Sequence, residues 1–202
     1  VRIFPSTGFI LPVEKENVLK SGLIKKADLT KCYDEMRFNF DERGITREQV
    51  MMLDILANNN WERGIFFSSP AGSDVALALY RRGYIKQDGV TFEFSPIDDR
   101  DERIVSDKMY SNLMTNYNFG EMSNPDVLTD YYTRRHTSQY RNQFASLASD
   151  YLRKAENSEA IRSRGQSYID ALRQDGRVDE ADKMAKVLST ADKDIPMYKE
   201  RA

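Results

Sequence analysis

Over the first half of the chain, apolar and polar positions alternate in short runs. Over the second half, apolar positions recur at helical spacing. Met36, Phe38 and Phe40 alternate with Arg37 and Asn39, and Val90, Phe92 and Phe94 with Thr91, Glu93 and Ser95, so both stretches predict half-buried strands. Phe4 to Val13 is an extended segment that Pro5 and Pro12 confine to a sheet edge or a loop. Gly64 to Phe67 reads as a core strand. Between these lie helices. Glu14 to Lys20 is a short one that ends near Gly22. Thr46 caps the next, with Gln49 completing a capping box and Ile45 and Val50 placed for a hydrophobic staple. Met51, Met52, Leu53, Ile55 and Leu56 make that helix apolar nearly all round, which predicts burial. Asn58, Asn59 and Asn60 stop it, because asparagine tolerates left-handed geometry. Ser73 caps a helix through Val75, Leu79 and Tyr84, with Gly83 a weak point and Gly89 the stop.

Strand patterns cease after the charged stretch Asp98 to Arg103, which reads as a solvated connector. Ser106 is then expected to cap a helix carrying Met109, Tyr110, Leu113 and Met114 and ending near Phe119 and Gly120. Glu121 to Asp126 is a proline-containing loop. A helix from Leu128 to Lys154 carries the stripe Tyr140, Phe144, Leu147, Ala148, Tyr151 and Leu152. A separate helix carries Ile161, Tyr168, Ile169 and Leu172, Gly176 breaks it, and a last helix runs to Pro196. The segment LRQDGRVDEADKMAKVL resembles the middle of a tetratricopeptide repeat, with Gly176 at the turn and Ala181 where the helices cross, although Ile169 replaces the expected glycine. It covers about half a repeat, which supports a lone hairpin. The expected fold class is α+β: a small mixed sheet with flanking helices, followed by an all-helical, tetratricopeptide-like hairpin tail. The expected organisation is a subdomain over 1–97, a connector over 98–105 and a helical subdomain over 106–202.

Composition narrows the function. The 202 residues include 30 basic and 32 acidic ones, so no overall field favours nucleic acid. Cys32 is the single cysteine, which excludes an internal disulfide and a clustered thiolate metal site. No apolar run approaches the ~20 residues of a spanning helix. The chain opens on Val1 rather than methionine, which leads us to expect a processed chain or a fragment cut from something longer.

Candidate chemistry is sparse. The loop Ser68, Ser69, Pro70, Ala71, Gly72, Ser73 joins a strand to a helix N-terminus, where amides can hold an anion. It lacks the lysine of a phosphate loop, and Asp74 follows it. Asp179 to Asp182 opens a helix, as the helix dipole favours. His136 is the only histidine, beside Arg134, Arg135 and Arg141 and among Tyr131, Tyr132 and Tyr140; the polar surroundings suit an exposed helix face. Trp61, Glu62 and Arg63 present a ring, a carboxylate and a guanidinium that could hold a sugar or a partner protein, although a core indole with a surface-paired Arg63 is the favoured reading.

The run LDILANNNWERGIFF resembles a signature of a bacterial family of large polytopic membrane proteins, classed as a domain of unknown function and related to protein O-mannosyltransferases. YIKQDGVTFEFSPI, KMYSNLMTNYNFGEMSNPDV and RNQFASLASDYL are similar to stretches that follow in that family, in the same order, and ILPVEKENVL near the start resembles its lead-in. Gly64 stands where the family usually has proline, and Glu93 where arginine is common. The resemblance implies a C-terminal region facing the periplasm beside a lipid-linked sugar transferase, with the cytoplasm as the alternative side. The region would be membrane-proximal without spanning. The acidic residues of glycosyl transfer would lie in the membrane-embedded part, so no catalytic, cofactor or metal residue is carried over to this chain.

Three functions are then open. The first is a noncatalytic accessory domain whose partners are the rest of the polytopic protein and acceptor proteins. The second is a helical peptide-binding module using Tyr132, Tyr140 and Tyr168, with a groove between the Tyr140 helix and the Tyr168 helix. The third is an independent enzyme using Asp54, His136 or the Ser68–Ser73 loop.

Overall fold

The computed structural model describes residues 8–39, 45–99 and 102–202. Phe4 to Thr7, Phe40, Arg100 and Asp101, which figured in the expected strands and connector, lie outside them.

The alternation around Met36 forms strand β2 (Glu35–Asn39), with Met36 and Phe38 buried and the residues between them exposed. It pairs antiparallel with β1 (Gly8–Pro12), Ile10 opposite Arg37 and Leu11 opposite Met36. A short helix α1 (Lys15–Lys20) and a 3₁₀ turn (Lys26–Lys31) connect the two strands. Helix α2 (Arg47–Asn58) starts as its sequence demands. Thr46 Oγ1 accepts from the Gln49 N–H at 3.3 Å, and the Gln49 side chain accepts from the Thr46 N–H at 2.8 Å. It ends at the asparagines, with Asn60 left-handed at φ 46°.

A second antiparallel sheet, in the order β3-β5-β4, is built from β3 (Phe66–Phe67), β4 (Ile85–Gln87) and β5 (Phe92–Phe94). Helix α3 (Asp74–Arg81) packs between, capped by Ser73, whose Oγ accepts from the Ala76 N–H at 3.1 Å. Val18, Met36, Phe38, Trp61, Val75, Leu79, Ile85 and Phe94 form one core with their neighbours.

The chain divides into two compact units, Val1–Asn116 and Tyr117–Ala202. Helix α4 (Ser106–Ser111) and the π turn that follows (Asn112–Asn116) belong to the first. Hydrogen bonds tie them there: Lys108 reaches Glu93, and Asn112 Nδ2 donates to the Asp88 carbonyl at 2.7 Å. The second unit is a hairpin of α5 (Tyr131–Gln174) and α6 (Val178–Arg201), turning at Gly176, whose φ is 75°. Ala181, Ile169 and Leu172 are buried at its turn end.

Several expectations are corrected. Helix α2 is not buried: only Gln49 and Leu56 are, while Met51 is 66% and Ile55 59% exposed. Two small sheets cannot cover a helix on every side. The Gly64 strand is a two-residue edge strand with Phe66 half exposed, because β5 takes the centre of its sheet. Helix α3 stops at Arg81 because Gly83 turns left-handed at φ 80°, and Tyr84 leads into β4 instead. The stretch read as a solvated connector is partly tied down: the Gln87 N–H donates to the Arg103 carbonyl at 2.8 Å, and Ile104 bridges to Gln87. Ser106 is the first helical residue of α4 rather than its cap, and the π turn ends this helical stretch before Phe119. The helices expected to end at Lys154 and to resume near Ile161 are one continuous α5, since no glycine or proline interrupts KAENSEA and Ala155 is buried. Helix α6 runs through Pro196. Beyond the proline, Lys199 pairs with Glu159 at 2.6 Å and Tyr198 packs on Tyr151, holding the last turns against α5.

Candidate functional site

The apolar surface that α2 leaves uncovered borders a groove of about 270 Å³ between α2 and the β1–β2 hairpin. Phe9, Ile10, Leu11 and Phe38 line it from the strands. Val50, Leu53 and Ala57 line it from α2, at the three- and four-residue spacing that puts them on one helix face. Among the described residues lining it, Asp54 is the one that is ionisable, and its carboxylate accepts from Asn58 Nδ2 at 2.9 Å.

The hydrogen-bond phase of the hairpin decides what its edge offers. The Val13 N–H donates to the Asp34 carbonyl at 3.0 Å, so bonded and non-bonded pairs alternate from there, and Ile10 opposite Arg37 is a non-bonded pair. Tyr84 confirms the phase from the far side. The Arg37 N–H donates to Tyr84 Oη at 3.1 Å, and the Tyr84 hydroxyl donates to the Arg37 carbonyl at 3.0 Å. Both groups of Arg37 therefore face away from β1, and both groups of Ile10 face away from β2. Pro12 shares the outward phase of Ile10; it has no N–H, and its carbonyl accepts the Trp61 indole N–H at 2.8 Å.

Trp61 is 3% exposed and stacks on Phe94 with ring centroids 4.9 Å apart. Its backbone is left-handed, at φ 61°, directly after left-handed Asn60. Asn17 Nδ2 donates to the Asn60 carbonyl at 2.9 Å and Asn59 Nδ2 to the Arg63 carbonyl at 2.8 Å, which fixes this corner. Arg63 is exposed. The indole thus stands inside the core rather than at a surface where a sugar could stack.

A charge cluster lies on the opposite side of β5. Lys108 Nζ sits 2.8 Å from Glu93 and 3.1 Å from Asp88, both buried carboxylates. Burial pushes the Glu93 carboxyl above its ordinary range, and the Lys108 contact offsets this only in part. Burial alone would lower Lys108, but its bonds and charges with Glu93 and Asp88 outweigh it and hold the ammonium above its usual value. Lys86 is also buried; burial lowers it, against the attraction of Asp99, Glu102 and Asp98. Lys108 thus pairs with both buried carboxylates, while Lys86 is offset by the separate acidic group of Asp98, Asp99 and Glu102.

The remaining candidates are dispersed. Ser69 Oγ accepts from the Ala71 N–H at 3.2 Å and Ser73 caps α3, so these two hydroxyls serve the turns that follow; Ser68 is exposed, as is Gly72 in the short 3₁₀ turn Pro70–Gly72. Asp74 accepts from Gln49 Nε2 at 3.2 Å. Tyr132 and Tyr168 are exposed on α5, and Tyr140 is partly buried, edge-on to Phe119 at 5.2 Å. Tyr140 and Tyr168 lie on the same helix, roughly 40 Å apart along it, so the groove expected between two helices does not exist. His136 is exposed on α5, whereas Asp54 and the serine loop belong to the first unit. Among the described residues no group of three or more His, Cys, Asp or Glu side chains could hold a metal ion.

The groove escaped the sequence reading, which took α2 for a buried helix. Two signals pointed to it: the spacing of Val50, Leu53 and Ala57 beside a lone Asp54, and a proline two residues after Ile10 on the same strand edge.

The fold class is α+β with a helical tail, and its first unit coincides with a known family. Residues 1–115 match the model of TMEM260-associated domain 2, more than half of the chain, and the chain belongs to that family. The family is associated with a membrane protein. No helix of the described residues is long and apolar enough to cross a membrane. No curated protein and no solved structure matches the chain.

Proposed function

We propose that this chain is a noncatalytic accessory domain of a membrane-embedded glycosyltransferase-like protein, and that its first unit docks the acceptor protein or the membrane-embedded core. The observation that carries the reading is the contrast between the two sides of that unit. Its buried carboxylates Asp88 and Glu93 are paired by the half-exposed Lys108, while its face along α2 and β1 is apolar and grooved. Such a surface suits a partner, and among its described residues no acid, base and nucleophile converge. The family's association with a membrane protein supports the same reading, as does the resemblance of the Trp61 segment to proteins related to O-mannosyltransferases. The periplasmic face of the membrane is the proposed location.

The test is made in the native cells. The segment encoding residues 1–116 is deleted from its gene, and glycosyl transfer to protein is followed in membranes, together with the intact mass of the native species. We expect a membrane-bound species larger than 23.4 kDa and a loss of transfer. Full transfer after deletion would defeat the proposal.

A second reading places partner binding on the helical hairpin. Tyr131 and Tyr132, exposed at the start of α5, and Leu128, exposed just before it, favour it. Alanine at Tyr131 and Tyr132 should then weaken co-purification of a partner that survives removal of the first unit.

A further inference from the structure

We infer that the groove between β1 and α2 takes an extended segment of a partner polypeptide, which adds to β1 as a third strand of its sheet. The inference rests on the docking reading above and names how the partner is held.

The backbone comes first. Ile10 turns its N–H and C=O away from β2, and no described group hydrogen-bonds to either. A neighbouring strand at about 4.8 Å can exchange two backbone hydrogen bonds with such a residue. The next outward position is Pro12, which has no donor and whose carbonyl Trp61 already occupies. Pairing must stop there, which sets the register: the partner is centred opposite Ile10.

The side chains follow from alternation. On either side of the residue facing Ile10, a paired strand points its side chains to the face that carries Phe9 and Leu11, and so into the groove. Opposite stand Val50, Leu53 and Ala57, so these two partner positions are apolar. Among the described lining residues Asp54 carries the charge, which a lysine or arginine of the partner complements. An acyl chain would suit the apolar walls but would leave the Ile10 pair unmet and lie against a carboxylate. A strand answers all three features.

The test uses the full chain to select from random peptides displayed on phage. The selected peptides should alternate apolar and polar positions and carry a basic residue toward one end. Their affinity is then read by fluorescence anisotropy. Ile10→Pro deletes the outward donor without touching the inner ladder and should weaken binding at least ~10-fold. Val50→Glu, at a partly exposed position, should do the same. Peptides N-methylated at the amide facing Ile10 should lose binding to the unaltered chain, a control that does not depend on a variant folding. Amide exchange at Ile10 should slow when peptide binds.

The inference falls if no peptide is enriched, or if the selected peptides bind the variants and bind in N-methylated form undiminished. It also falls if the chain sediments as a dimer whose Ile10 amide is protected without peptide, since a second copy would then be the occupant. The two proposals fail separately. Transfer that needs the domain but tolerates Val50→Glu in the parent protein would remove this inference and leave the docking reading. Transfer indifferent to the deletion would remove the docking reading, and the peptide selection would still decide the groove.

Discussion

The indole N–H of Trp61 donates to the carbonyl of Pro12 at 2.8 Å, joining the corner that follows α2 to the edge of β1 across 49 residues of sequence. Two consecutive left-handed residues, Asn60 and Trp61, aim the ring there. Left-handed backbone costs a residue with a Cβ about 1–2 kcal/mol, so the corner holds only because burial and hydrogen bonding outweigh it. The stack on Phe94 supplies the burial and the Pro12 bond the direction. Trp61→Phe keeps most of the stack and leaves the Pro12 carbonyl unmet; it should cost about 1–3 kcal/mol in urea unfolding. Trp61→Ala should cost about 3–5 kcal/mol, as a cavity forms. A loss below about 0.5 kcal/mol for the phenylalanine variant would mean water replaces the indole without penalty.

The Lys108 cluster gives a pH signature. Burial raises the Glu93 carboxyl, so the folded chain binds that proton more tightly than the unfolded one. Its contribution is fully present below the ordinary glutamate range and is lost as pH rises through the raised value. Lys108 is also raised, so its contribution is present at neutral pH and is lost only as pH climbs through the lysine range. Lys108→Met strands two buried carboxylates. It should cost about 2–3 kcal/mol at neutral pH, less than the ~3–5 of a fully buried pair because solvent reaches the ammonium. That loss should shrink in mild acid, where Glu93 takes up its proton. Glu93→Gln should flatten the stability profile between mildly acidic and neutral pH. Denaturant midpoints across pH check both, and an equal loss at every pH for Lys108→Met would contradict the coupling.

What the sequence revealed was local. The Thr46 box, the Ser73 cap, the Met36 and Phe38 alternation, the left-handed Asn60, and the turn at Gly176 with Ala181 beside it each depend on a few neighbouring residues. All are present in the structure. What stayed hidden depends on partners distant in the chain. Met51 and Ile55 look like core until the sheets beside α2 turn out too small to cover them. Tyr140 and Tyr168 look like two helices until the intervening polar run proves to be helix as well. The groove is the hardest case. Whether the Ile10 backbone faces in or out is settled by the Val13–Asp34 register and by a tyrosine hydroxyl some seventy residues away, and periodicity within β1 carries neither.

The reciprocal bonds at Thr46 and Gln49 anchor the start of the helix that walls the groove. Thr46→Ala removes the acceptor for the Gln49 N–H and should cost about 1 kcal/mol. Gln49 is buried and also donates to Asp74, so Gln49→Ala should cost more than Thr46→Ala, by breaking the box and freeing the start of α3 together. Thermal unfolding of the two variants and of the double variant tests this. The substitutions remove different bonds of one box, each of which positions the other, so the double should fall short of the sum. Strict additivity would show that the two bonds act independently.

In the hairpin, Gly165 marks a close approach between α5 and α6. A Cβ built there would meet Leu188 Cδ1 at 3.0 Å. Glycine inside a helix costs about 1 kcal/mol relative to alanine, so substitution sets a propensity gain against a steric loss. The obstructing atom is the tip of a partly buried, flexible leucine, which can rotate by the few tenths of an ångström required. Gly165→Ala should therefore stabilise the hairpin, by about 0.5 kcal/mol once the crowding is subtracted. Gly165→Leu brings atoms that Leu188 cannot evade and should destabilise it by about 1–3 kcal/mol. Leu188→Ala clears the space, and in that background Gly165→Leu should recover most of its loss. Unfolding followed by circular dichroism resolves these three variants. If Gly165→Ala proves destabilising both with and without Leu188→Ala, the backbone itself, rather than the leucine tip, is what requires glycine.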